Sequence, residues 1–223
     1  MHSFDCFIFD LDGTLLDSSC QVIDCMRKAF NGCNLKADES KLNSNLIGPP
    51  LRDIIKMIDC DISEENLVNV IKTFREIYET DRDYSSKLYD GVKEFLEELK
   101  AQGKKIFMAT FKPMRPTLRL VKEFDIEALF EDVYTVDKFG DYCPKEDMIA
   151  HILDKYGFDK SKTVMVGDAV NDVAAAKNTG VKGVGVLWGY GADKAALRAN
   201  ADCVISHIGE LRCLKEKLKN ESW

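Results

Sequence analysis

The sequence predicts an α/β fold, a parallel sheet with helices on both faces and an all-helical insert, on three observations. From Asp90-Gly91 onward, apolar strand-like runs alternate with amphipathic helical stretches, the pattern of a parallel sheet built from crossovers. Residues 19–80 instead carry helical periodicity with no strand pattern. Before them, residues 4–9 form an apolar run that stops abruptly at Asp10.

The elements follow in order. Residues 4–9 read as the first strand. In the helical stretch, Leu67, Val70, Ile71, Phe74, Ile77 and Tyr78 recur at spacings of three and four behind Ser63-Glu64-Glu65, which marks an amphipathic helix with a start signal. Gly48-Pro49-Pro50 breaks that region with a rigid turn. Val92, Phe95, Leu96 and Leu99 mark a helix that ends near Gly103, and residues 104–110 follow as a strand. A helix over 115–124, a strand over 133–136 and a helix over 145–156 come next. Then come a strand over 163–166, a helix over 171–178, strands over 183–186 and 203–205, and a terminal helix rich in Lys and Leu.

Composition narrows the function. The chain has 223 residues, 45% hydrophobic and 31% charged, room for one large domain or a core carrying a smaller one. A formal net charge of −7 argues against nucleic acid, whose phosphate backbone is bound by clustered Lys and Arg. No apolar run is long enough to span a bilayer, and the N-terminal residues lack the basic start of a signal peptide. The expectations are no membrane partner and a cytoplasmic location. The eight cysteines, Cys6, Cys20, Cys25, Cys33, Cys60, Cys143, Cys203 and Cys213, form no C-x-x-C pair and read as reduced thiols in apolar surroundings. His2, His151 and His207 have no partner motif. The sequence assigns no oligomeric state.

The chemistry starts at Phe9-Asp10-Leu11-Asp12-Gly13-Thr14. Alternate residues of an extended segment face the same side, so Asp10 and Asp12 would share one space beyond the strand. Like charges so close repel, and without compensation one carboxyl takes up a proton. A divalent cation offers compensation, holding one carboxylate ionised while its neighbour trades protons. An Asp-Gly turn alone explains Gly13 but not the paired acids. In open parallel sheets ligands bind beyond the carboxyl ends of the strands. Asp10, Asp12, Thr110 and Gly167-Asp168 all fall at such ends, and Lys145 lies in a nearby connection.

With Asp10-Leu11-Asp12-Gly13-Thr14, Thr110, Lys145 and Gly167-Asp168-Ala169-Val170-Asn171-Asp172 in that order, the chain resembles the haloacid dehalogenase-like superfamily, most closely its phosphoglycolate phosphatase-like branch. The resemblance covers nearly the full length. It implies a Rossmann-like core over residues 1–15 and 89–223 with a helical cap over 16–88. It further implies a phosphatase that uses magnesium and acts on a small phosphorylated metabolite. Asp10 would be the nucleophile that forms an aspartyl-phosphate, and Asp12 the acid and then the base. Thr110, through its hydroxyl, and the backbone amide of Phe111 would hold phosphoryl oxygens, with Lys145 offsetting their charge. Magnesium would be held by Asp10, Asp168 and the main-chain carbonyl of Asp12, and Asp172 would support a metal-bound water or orient Lys145.

Two positions depart from the family. Pro144 precedes Lys145 and Glu146 follows it, where the family has Lys followed by Pro, so Lys112 and Lys138 are rivals for the same role. Phe111 stands where a small polar residue is usual, which would reshape the pocket. Arg52 could face the site and read an anionic group, and Trp188-Gly189-Tyr190-Gly191 could form a loop near the leaving group. Gly13 and Asp17-Ser18 lie where a hinge is expected. Phosphoglycolate and nucleoside 5′-monophosphates both stay open as substrates. A sugar phosphomutase, a haloacid dehalogenase and a phosphate-binding regulator without turnover are the rival functions.

Overall fold

The computed structural model describes residues 4–80, 85–140, 142–191 and 193–220. Among them, six parallel strands form the main sheet: β1 (Cys6–Phe9), β4 (Lys105–Thr110), β5 (Asp132–Thr135), β6 (Thr163–Gly167), β7 (Lys182–Val186) and β8 (Cys203–Ile205). Their spatial order is β5-β4-β1-β6-β7-β8. The chain therefore winds outward on one side of β1 and returns to wind outward on the other, which places the reversal of strand order beside β1. That is where open sheets of this kind bind ligands.

Every residue of β1 is buried, because the sheet is covered on both faces. Phe7 and Phe9 belong to one apolar cluster with Val92, Phe95, Leu96 and Leu99 of α4 (Val92–Ala101) and Leu120 and Val121 of α5 (Met114–Glu123). Ile8 points the other way, into a second cluster with Met148, Ile149 and Ile152 of α6 (Lys145–Tyr156) and Ala175 and Ala176 of α7 (Val170–Thr179). Period-two alternation with apolar residues on both sides explains why β1 reads as an unbroken apolar run. Burial of each large side chain contributes about 1.5–3 kcal/mol, which anchors the strand that carries Asp10.

The helical stretch comprises α1 (Ser19–Gly32), α2 (Leu51–Ile58) and α3 (Glu64–Thr80). These helices pack on each other through Met26, Phe30, Ile55, Leu67, Val70 and Phe74, a third cluster separate from the two on the sheet. The chain leaves the core and returns to it through two short strands, β2 (Leu16–Asp17) and β3 (Lys87–Leu88), which pair antiparallel with Leu16 opposite Leu88.

Most elements lie within two residues of their expected limits; the departures are short. Two-residue strands such as β2 and β3 carry no readable period, and α8 (Lys194–Asn200) has a single buried side chain, Leu197, hence no apolar stripe. The expected terminal helix begins as a tighter turn at Ile208–Cys213 before α9 (Leu214–Asn220). Phe4 is buried but precedes the first strand. The eight cysteines are free thiols. His151 packs against Phe139 and Tyr134, and the His207 ring accepts the Gly209 N–H at 3.0 Å. His2 lies outside the described residues. Among the described residues, no helix is long and apolar enough to cross a membrane.

Candidate active site

The sheet itself gathers the site. Phe9 is opposite Met108 on one neighbouring strand and Val166 on the other, and the Asp10 N–H still donates to the Val166 carbonyl at 2.9 Å. Asp10 is therefore held in ladder register between the ends of β4 and β6, with Thr110 on one side and Gly167-Asp168 on the other. Lys145 is the first residue of α6, placed there by Pro144, whose fixed φ and missing N–H suit a helix start. Its ammonium is buried, lies 2.8 Å from Asp10 Oδ1 and also donates to Asp172 Oδ1. Asp172 sits in the first turn of α7 and accepts the Ala169 N–H at 3.0 Å on its other oxygen.

One carboxylate oxygen from each of Asp10, Asp168 and Asp172 lies within 4.8 Å of the others, and all three residues are buried. Asp168 is gripped from the far side. Its Oδ2 accepts the backbone N–H groups of Tyr190 at 2.7 Å and Gly191 at 3.0 Å, and its Oδ1 accepts the Thr14 hydroxyl at 3.3 Å. Gly13 fits here because a Cβ on it would lie 2.3 Å from Asp168 Oδ2, and its φ of +83° strains any L side chain.

Asp12 belongs to a different set of contacts. The Lys112 ammonium lies 3.0 and 2.8 Å from its two oxygens, and the Ser18 hydroxyl donates to Oδ1 at 2.5 Å. The three candidate lysines thus separate. Lys145 serves Asp10, Lys112 serves Asp12, and Lys138 lies 2.5 Å from Asp132 and over the Tyr134 ring. Thr110 accepts the Lys112 N–H on its hydroxyl oxygen at 3.1 Å, which leaves the hydroxyl proton free to donate. The sequence marked Ser18 only as part of an expected hinge and Tyr78 only as a position of a helical core stripe; folding brings them beside Asp12 and Lys112.

Burial dominates the electrostatics of Asp10 and Asp168. Burial, with Asp172 and Asp168 alongside, pushes the Asp10 carboxyl up to about 8 even with Lys145 opposing. Burial and then Asp172 raise Asp168 to about 6. Burial works against the Lys145 charge, but Asp10 and Asp172 outweigh it and hold the ammonium above the usual lysine range. Three buried carboxylates face one buried ammonium, an imbalance that a hard divalent cation with oxygen ligands corrects. The donor set therefore fits magnesium, and the Asp12 side chain, turned toward Lys112, is not part of it.

The Trp188–Gly191 segment lies elsewhere than expected. Trp188 Nε1 donates to the Thr14 carbonyl at 3.0 Å. The Tyr190 hydroxyl accepts the Ser18 N–H at 2.6 Å and the Ser19 N–H at 3.1 Å while donating to Asp17 Oδ1 at 2.6 Å. The loop backs Asp168 and the base of α1 rather than the leaving group. The expected hinge residues Asp17 and Ser18 are therefore tied down.

A cavity of about 630 Å³ opens over Asp10, Asp12 and Thr110, roofed by Ile54, Phe74 and Tyr78 of the helical stretch. The Tyr78 ring lies under the Lys112 ammonium at 4.7 Å. Arg52 lines the cavity but also pairs with Glu64.

The sequence profile of a haloacid dehalogenase-like hydrolase matches residues 7–186. The tyrosine-protein kinase PtkA of Mycobacterium tuberculosis is 31% identical over 95% of this chain and 71% of its own length. A phosphoglycolate phosphatase of Vibrio parahaemolyticus is 30% identical over 91% of this chain and 92% of its own. The crystal structure of a predicted phosphoglycolate phosphatase from Haemophilus somnus superposes with a TM-score of 0.85 at 25% identity, covering 96% of this chain and 99% of that one.

Proposed function

Taking as premise that the chain belongs to the haloacid dehalogenase-like hydrolases, in their phosphoglycolate phosphatase-like branch, we propose that it hydrolyses a small phosphomonoester with magnesium through an aspartyl-phosphate on Asp10. One observation carries the reading: two aspartates of one strand end have separate ammonium partners, Lys145 for Asp10 and Lys112 for Asp12. A nucleophile and a proton carrier need that division, because one must stay ionised while the other changes state.

Asp10, Asp168 and the Asp12 carbonyl would hold magnesium, with Asp172 in support, and the ion would supply positive charge that keeps Asp10 ionised and offsets the phosphoryl oxygens. The Asp10 carboxylate attacks phosphorus, and the ester P–O bond breaks. Asp12 gives its proton to the departing alkoxide, and the charge left on Asp12 is met by Lys112 and the Ser18 hydroxyl. The Thr110 hydroxyl, the Phe111 N–H and Lys145 hold the phosphoryl oxygens. Asp12 then takes a proton from water, which attacks the aspartyl-phosphate, releases inorganic phosphate and restores Asp10. The helical stretch excludes bulk water from these steps.

We assign residues 1–15 and 89–223 to the catalytic core and 16–88 to a lid, a division supported by the separate apolar cluster of the helices and by the β2–β3 pair at their base. Eight free thiols, Cys20, Cys60 and Cys213 of them exposed, support a reducing, cytoplasmic setting.

The deciding experiment is Asp10→Asn. The variant is expected to fold, to bind phosphate analogues and to show no measurable turnover of p-nitrophenyl phosphate, while the wild-type activity disappears with chelator. Acid-quenched enzyme treated with labelled substrate should carry the label on the peptide containing Asp10; a label elsewhere refutes the scheme. Free phosphate released in step with alcohol separates hydrolysis from return of the phosphoryl group to a sugar.

A further inference from the structure

One wall of the cavity carries two near-parallel aromatic rings. Phe111 directly follows Thr110, and its ring lies 6.0 Å from that of Tyr142 with an interplanar angle of 17°. The Lys145 ammonium, 2.8 Å from Asp10, is 5.1 Å from the Phe111 ring centroid, so this wall begins within a side chain's length of the reacting carboxylate. Tyr142 leaves 56% of its surface exposed. Across the cavity, Ile54 and Phe74 present an apolar roof. The volume of about 630 Å³ falls in the roughly 300–1,000 Å³ range of sites that enclose drug-sized ligands, and a two-carbon phosphoester would fill a small part of it. An apolar slot beside a charged centre is favourable only when an apolar group displaces its water.

We propose, resting on the phosphomonoesterase reading of the same site, that the leaving group carries a planar ring that lies on the Phe111–Tyr142 wall. The reaction is unchanged in its balance: the ester P–O bond breaks, the ring-bearing alcohol leaves with a proton, and water completes inorganic phosphate. The ring could be attached at the ester oxygen, as in an aryl phosphate, or across a sugar, as in a nucleoside 5′-monophosphate. Both present the same face for stacking, which is sequence-tolerant for bases and geometry-selective for aromatic pairs.

Matched substrate pairs that differ by the ring test this on the magnesium-loaded full chain. Phosphotyrosine is compared with phosphoserine, where only the part of the ratio that Tyr142→Ala removes counts for the ring because a phenol also leaves more readily, and 5′-AMP is compared with ribose 5-phosphate. In at least one pair kcat/KM for the ring-bearing member is expected to exceed its ringless partner by about tenfold or more; which pair responds identifies the source of the ring. In Tyr142→Ala, whose exposed side chain carries little of the fold, that ratio should fall several-fold. Ratios within threefold in both pairs, or a ratio that Tyr142→Ala leaves unmoved, overturn the proposal while the phosphatase reading stands. Turnover of none of the four, nor of p-nitrophenyl phosphate, overturns the phosphatase reading instead. Binding of benzylphosphonate and methylphosphonate, measured by calorimetry, then decides the wall by itself: equal affinities sink it, and tighter benzylphosphonate binding that is lost in Tyr142→Ala upholds it.

Discussion

Asp10 and Asp12 are two residues apart and chemically unlike, and the difference comes from neighbours far along the chain. Lys112 is the informative one. If it stabilises Asp12 after proton donation, Lys112→Met should cost most where the leaving group most needs a proton. We expect about a hundredfold loss in kcat, or about 3 kcal/mol, with alkyl phosphates, and a clearly smaller loss with p-nitrophenyl phosphate. Equal losses on both, measured by steady-state kinetics, would place Lys112 outside the proton-transfer step. At this scale the motif residues were legible because their types are costly to place anywhere but a site: paired acids, a strand-end Thr, a Gly-Asp. The assignment of lysines was not legible. Lys112, Lys138 and Lys145 look alike in sequence, and only three-dimensional placement pairs them with Asp12, Asp132 and Asp10.

Among the elements, the loop after β7 joins two parts of the molecule. The Tyr190 backbone N–H holds Asp168, and its hydroxyl holds Asp17, Ser18 and Ser19 where α1 begins. Tyr190→Phe keeps the first contact and removes the second, leaving the buried Ser18 N–H without its phenol partner while the Ser19 N–H keeps Asp17 Oδ1 at 3.1 Å. A loss of about 1–3 kcal/mol in stability is expected, read by urea unfolding, together with faster amide exchange at Ser18. Unchanged exchange there would mean that the phenol is not what fixes the start of α1. The strands and helices of the core were readable from period and turn residues, since burial on one face or two leaves a pattern in sequence. β2, β3 and the Tyr190 contacts were not, because two-residue pairing and a loop tyrosine leave none.

For the whole molecule, the raised carboxyls make stability depend on pH and on the cation. Folded values of about 8 for Asp10 and about 6 for Asp168 exceed the ordinary 3.8, so the folded state holds more protons than the unfolded state between those limits. The stability they contribute is present below pH ~4 and is lost as pH rises through 6 and then 8. Magnesium should reverse that loss, since it favours the ionised forms. Thermal melts are expected to show a magnesium-induced gain of several degrees at pH 8 that shrinks toward pH 5. A gain that is flat with pH would detach the ion from these carboxylates.

The antiparallel contact of β2 with β3 has a last consequence. Neighbouring strands lie about 4.8 Å apart, so the 69 residues between Asp17 and Lys87 set out from and come home to nearly one point. A segment tethered in that way is a module: a short turn could replace it, or a foreign roof could be transplanted onto the same two stumps, without asking the parallel sheet to rearrange. Selectivity could then change by exchange of a part, provided that the graft keeps the Ser18 hydroxyl on Asp12.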